Sequence, residues 1–76
     1  MAKQLDRNQT IVLKGLMTLE GMKWKAGCGW TFGTNHRTDN VLKSLVPRGL
    51  AVMEGKHDGF GVYTLTPDAV TVGASL

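Results

Sequence analysis

The sequence predicts a small α+β domain with about three helices, the second one short or degenerate, and a C-terminal two-stranded β-hairpin. Three observations predict it. "DRNQTIVLKGLMTLEG" and "TNHRTDNVLKSLVPRG" each repeat apolar residues at helical spacing. "GLAVMEGKHDGFGVYTLT" alternates at period two on both arms of a glycine-bounded tip. With 76 residues the chain is one domain, 1–76, whose ends at 1–5 and 72–76 are expected to fray. A domain of this size buries only about 60% of its unfolded surface. Two Trp, two Phe and one Tyr, with Leu and Val, can build one small core. They leave little room for a deep substrate cleft as well.

The first helix is predicted over residues 8–20. Ile11, Val12, Leu16 and Leu19 form its apolar stripe, widened by Leu13 and Met17. Asp6 or Asn8 can cap its start, and Gly21 is a natural stop. Gly15 weakens its middle by about 1 kcal/mol relative to Ala. "MKWKAGCGWTFG" is too rich in glycine for a long helix, and Trp24, Trp30 and Phe32 are too large for a solvated linker. A compact, turn-rich segment is expected there, with one helical turn near residues 23–27.

The next helix is predicted over residues 34–46, with Thr34 as cap and Pro47 as the stop. At 100° per residue, Thr38, Val41, Leu42, Leu45 and Val46 share its inner face. His36, Asn40 and Lys43 lie opposite, flanked by Arg37, Asp39 and Ser44. The hairpin spans about residues 50–65, with "GKHDG" as a five-residue loop. Thr66 and Pro67 then suit the start of a short final helix or turn.

"TDNVLKSLVPRGLAVMEG" followed by "GVYTLTPDAV" resembles the winged helix-turn-helix superfamily, which includes MarR-type regulators. The matching features are a Thr near the start of the helix, Leu-x-x-Leu, a basic residue before Gly-Leu, a charged tip, and Tyr-x-Leu-Thr. The likeness covers about residues 34–70 and does not identify a subfamily. "MKWKAGCGWTFG" departs from the family's well-formed second helix.

The resemblance implies double-stranded DNA as partner. The helix over 34–46 would enter the major groove and the hairpin would touch the flanking backbone or minor groove. The site residues it implies are Thr34, Asn35, His36, Arg37, Asn40, Lys43, Arg48, Lys56 and His57. Arg37 is the expected guanine reader, and Asn40 can address adenine or bond within its own helix. Lys43 suits a phosphate. Arg48 can meet a phosphate or cap the helix end, and Lys56 and His57 at the tip suit phosphate. For Thr34 the helix cap is the expected role, and for Thr38 the edge of the core.

A net charge of +3, from nine Lys and Arg against six Asp and Glu, suits a polyanionic partner without proving one. A full DNA site would call for a homodimer, because one small module buries too little surface for high specificity. The resulting expectation is a small transcriptional regulator or a phage- or plasmid-type accessory protein. The alternative is a winged-helix protein-interaction module without DNA binding, in which Trp24, Trp30 and Phe32 form an exposed patch.

No catalytic constellation is present. The single Cys28 has no positioned base and is expected to be a small buried thiol. Cys28, His36 and His57 lack metal-ligand spacing, so no metal and no other cofactor is expected. "GFG" and "GCG" do not open a helix with a following Lys-Ser or Lys-Thr, so neither is a phosphate loop. The start, "MAKQLDRNQT", lacks an apolar signal region, and a cytoplasmic location without membrane association is expected.

Overall fold

The computed structural model describes residues 5–76. Its elements run α1 (Arg7–Met17), a 3-10 turn (Glu20–Met22), β1 (Lys23–Trp24), α2 (Asn35–Leu45), β2 (Ala51–His57), β3 (Phe60–Leu65) and α3 (Pro67–Ala74). The sheet is antiparallel in the order β1-β3-β2, so it has three strands where two were expected. No described helix is long and apolar enough to cross a membrane.

Asp6 starts α1 with a reciprocal cap. Its carboxylate accepts the Gln9 N–H at 2.7 Å, and Gln9 Oε1 accepts the Asp6 N–H at 3.1 Å. The helix stops at Met17, earlier than expected. The Thr18 hydroxyl and N–H both fold back onto the Gly15 carbonyl, at 2.7 and 3.1 Å, and tighten the last turn. Gly21 instead lies within the 3-10 turn. Gly15 has a packing reason to be glycine, since a Cβ there would overlap the Trp30 ring. Val12, Leu13 and Leu16 are buried, while Ile11 faces solvent at 40% exposure. Leu5, placed in the fraying end, packs against the core; residues 1–4 lie outside the described residues.

Of the helical turn expected near residues 23–27, Lys23 and Trp24 form a strand, and only a single turn follows, closed by the Cys28 N–H on the Lys25 carbonyl at 3.2 Å. Lys23 pairs with Thr64 and Trp24 with Tyr63, which makes β3 the central strand. Trp24 is fully buried and its indole N–H donates to the Trp30 carbonyl at 2.8 Å. No α-helix forms between α1 and α2; the 3-10 turn, β1 and a loop take that place. Aromatic packing replaces the second helix, with Trp30 and Phe32 half-buried against the core.

The hairpin also differs from expectation. Its strands run on through Gly55, Lys56 and His57, and only Asp58 and Gly59 turn the chain, with φ of 52° and 82°. Asp-Gly suits a two-residue turn that needs two positive φ angles. Glu54 is the extra residue of a bulge between Met53 and Gly55.

The core joins Val12, Leu13 and Leu16 of α1 to Leu42 and Leu45 of α2, Trp24 of β1, Tyr63 and Leu65 of β3, and Ala69 of α3. Gln9 Nε2 donates to Ser44 Oγ at 3.0 Å and ties α1 to α2. The C-terminal end was expected to fray from residue 72, but α3 runs to Ala74. Gly73 is buried against Met17, which anchors that last turn to α1.

Candidate nucleic-acid interface

α2 organises the site. Thr38, Leu42 and Leu45, fully buried, hold one side of it to the core. At 100° per residue, the far side brings His36, Asn40 and Lys43 within about 60° of one another. All three are exposed. Thr34 is the cap: its hydroxyl oxygen accepts the Arg37 N–H at 3.1 Å. Asn35, the first helical residue, is half-buried. The Thr38 hydroxyl donates to the Thr34 carbonyl and accepts the Phe32 N–H, both at 2.8 Å. Thr38 therefore fastens the preceding loop to the helix.

Arg37 is exposed but stands to one side of this stripe. Its guanidinium lies 5.0 Å from the centroid of the Phe32 ring, a cation–π stack on the loop side of α2. The side chain of Asn40, midway along the stripe, has no hydrogen-bond partner among the described residues and is exposed.

Asp39, expected on the outer flank, is buried at 5% exposure. Its Oδ1 accepts the Gly61 N–H at 2.8 Å and the Tyr63 hydroxyl at 2.9 Å. Its Oδ2 lies 3.4 Å from Lys43 Nζ. Burial pushes this carboxyl up, but the Gly61 N–H, the Tyr63 hydroxyl and Lys43 together outweigh burial and hold it below its ordinary value. Burial, then the hydrogen bond and charge of Asp39, push the Tyr63 phenol well up. Asp39 is the site residue that pattern reading missed. The available signal was Tyr63, whose core-facing position obliges its hydroxyl to find a partner.

The hairpin stands beside the stripe across this seam. The His36 ring meets Phe60 edge-on, with centroids 6.4 Å apart and planes at 79°. Lys56 lies opposite Gly61 and His57 opposite Phe60, and both basic residues are exposed. His57 Nε2 is 3.4 Å from Asp58 Oδ2. Arg48 is exposed in the turn that leads from α2 to β2. Lys23 is engaged elsewhere, 3.0 Å from Glu54 across the sheet. Hydrogen bonds from Thr64 and Lys23 hold the Glu54 carboxyl below its ordinary value.

His36, Asn40 and Lys43 thus share one outer face of α2, while the exposed Lys56 and His57 point to alternate faces of the hairpin. Arg37 borders that face of α2 on the loop side, Thr34 caps the helix beneath it, and Arg48 lies past the far end of α2. Cys28 is exposed, not buried as expected. Among the described residues no three His, Cys, Asp or Glu side chains gather to hold a metal ion. The patch of Trp24, Trp30 and Phe32 expected under the interaction-module alternative is not formed, since Trp24 is fully buried.

Comparison with protein-family models, with curated proteins and with solved structures finds no match to the chain.

Proposed function

We propose that the chain is a small winged helix-turn-helix protein that binds double-stranded DNA, with α2 as the recognition helix and the β2–β3 hairpin as the wing. The observation that carries this reading is the uncovered stripe of α2 beside a hairpin pinned at its edge. An α-helix fits the major groove, which is about 12 Å wide. The stripe would face base edges while Lys56 and His57 reach the flanking backbone. Asn40 is then the best-placed reader of a base, and its chemistry suits adenine. Lys43 on the stripe and Arg37 at its border suit phosphates. A second copy would supply the surface that one module lacks.

The test is duplex binding as a function of salt, followed by anisotropy with a mixed-sequence oligonucleotide. If Arg37, Lys43, Arg48 and Lys56 each meet a phosphate, affinity should fall about a hundredfold between roughly 50 and 200 mM salt. In selection from a random pool, Asn40→Ala should flatten preference at one position while leaving residual binding. Absence of binding at the low-salt end, or affinity indifferent to salt, sinks the proposal.

A further inference from the structure

We infer that Asp39 is a positioning residue: through Gly61 and Tyr63 it fixes where the hairpin tip stands beside the outer stripe of α2. The inference rests on the reading that helix and hairpin meet one duplex, and it adds what sets the spacing between them.

The tip needs such a tie. β2 is exposed from Val52 to His57, so that arm gains little packing from the body. β1 pairs with β3 only at Tyr63 and Thr64, so the rungs toward the turn have no third strand. A two-stranded ribbon alone is marginally stable in water. Asp39 bridges the last supported rung, at Tyr63, and the unsupported rung of Gly61. It accepts the N–H of Gly61 and the hydroxyl of Tyr63 with one oxygen, at 2.8 and 2.9 Å.

The residues around the tie fit that role. Gly61 carries no side chain, and a Cβ there would stand 2.6 Å from the Tyr63 ring. Only glycine lets that ring lie across the strand and reach Asp39. Gly61 also lies opposite Lys56, so the pinned rung is the one that carries the tip lysine. The same carboxylate draws Lys43 toward the hairpin edge of α2, with 3.4 Å between the charged atoms. One buried group therefore sets both the tip and a cation of the stripe. Because Asp39 is buried, it does not itself touch a ligand.

The experiment uses Tyr63→Phe, which removes the hydroxyl and keeps the ring in the core. Backbone NMR order parameters in the free protein should fall for residues 55–60 and stay unchanged in α1. Asp39→Ala should loosen the same residues, and Asp39→Asn, which keeps an accepting oxygen, should restore most of their order. In duplex binding, Lys56→Ala should cost several-fold in the wild-type background and much less in Tyr63→Phe, because a displaced tip no longer meets the phosphate. Equal costs in the two backgrounds overturn the inference and leave DNA binding standing. Unchanged order at residues 55–60 overturns it whatever the duplex result. Lowered order with no duplex binding by the wild type supports the positioning role and removes the DNA reading.

Discussion

The two strands of the hairpin have opposite fates. β3 is the central strand, and its Gly61, Tyr63 and Leu65 point inward and are buried. β2, its partner along the whole ribbon, is buried only at Ala51. Composition does not explain the contrast, since β2 carries Val52 and Met53, which remain 50% and 40% exposed. Position does. β3 has β1 on one side and α2 over one face, whereas β2 is an edge that reaches past the body. One strand of the hairpin holds the fold and the other is an exposed edge. The bulge at Glu54 suits that role, because bulges discourage edge-to-edge pairing with other chains.

The contrast is broken most severely at Tyr63. Truncation to Ala removes a fully buried aromatic ring and strands the Asp39 carboxylate. Losses of about 3–5 kcal/mol are usual for burying such a cavity, which rivals the whole stability of a domain this small. Tyr63→Ala should therefore be largely unfolded at room temperature by circular dichroism. Val52→Ala, on the neighbouring strand, should change stability by no more than about 0.5 kcal/mol in a urea titration. A folded Tyr63→Ala variant would show that β3 does not anchor the sheet.

Two glycines sharpen the comparison at a smaller scale. Gly61 and Gly55 lie on adjacent rungs, and neither has positive φ. A Cβ at Gly61 meets the Tyr63 ring at 2.6 Å, while one at Gly55 meets nothing within 4 Å. Gly61→Ala should cost about 1–3 kcal/mol by overpacking. Gly55→Ala should stabilise by about 0.4–1 kcal/mol, by restricting the unfolded chain. Thermal melts of the two variants should shift in opposite directions; shifts of the same sign would contradict the assigned packing.

The legibility of these features in the sequence followed the range of their causes. α2 was readable to within a residue, because Thr34 and Pro47 mark its ends through local backbone chemistry. The alternation of β3 was readable from its period of two, but not which face turns inward. The end of α1 was not, since Thr18 folds back on Gly15 while Gly21 offers a more conspicuous stop. The turn was misplaced although Asp58-Gly59 carries its own signal, because Gly55 made the longer loop look natural. β1 could not be seen: two residues have no period, and Trp24 is in a strand only because Tyr63 lies beside it. Of the site, the exposed stripe of α2 followed from periodicity. Asp39 did not, since its partner Gly61 stands 22 residues on and helical spacing alone left it near the wet face.

Acid and base should separate the strands by a third route. Asp39 serves β3 and has a lowered pKa, so its contribution is complete above the ordinary carboxylate value of 3.8 and is lost as pH falls through the lower folded value. Tyr63 has a raised pKa, so its contribution is complete below the ordinary 10.0 and is lost as pH rises beyond it toward the folded value. The seam should therefore hold undiminished between about pH 4 and 10. Glu54 on β2 also has a lowered pKa and adds to the acid limb, but it stands in the open with Lys23. Salt screens such an exposed pair and screens a buried one far less. Melting temperature should thus decline in acid by two separable parts. The part removed by Glu54→Gln should shrink with added salt, and the part removed by Asp39→Asn should persist. The decline above pH 10 should vanish in Tyr63→Phe. An acid limb in Asp39→Asn identical to that of the wild type would place the carboxylate outside the seam and leave β3 no better tied to α2 than β2 is.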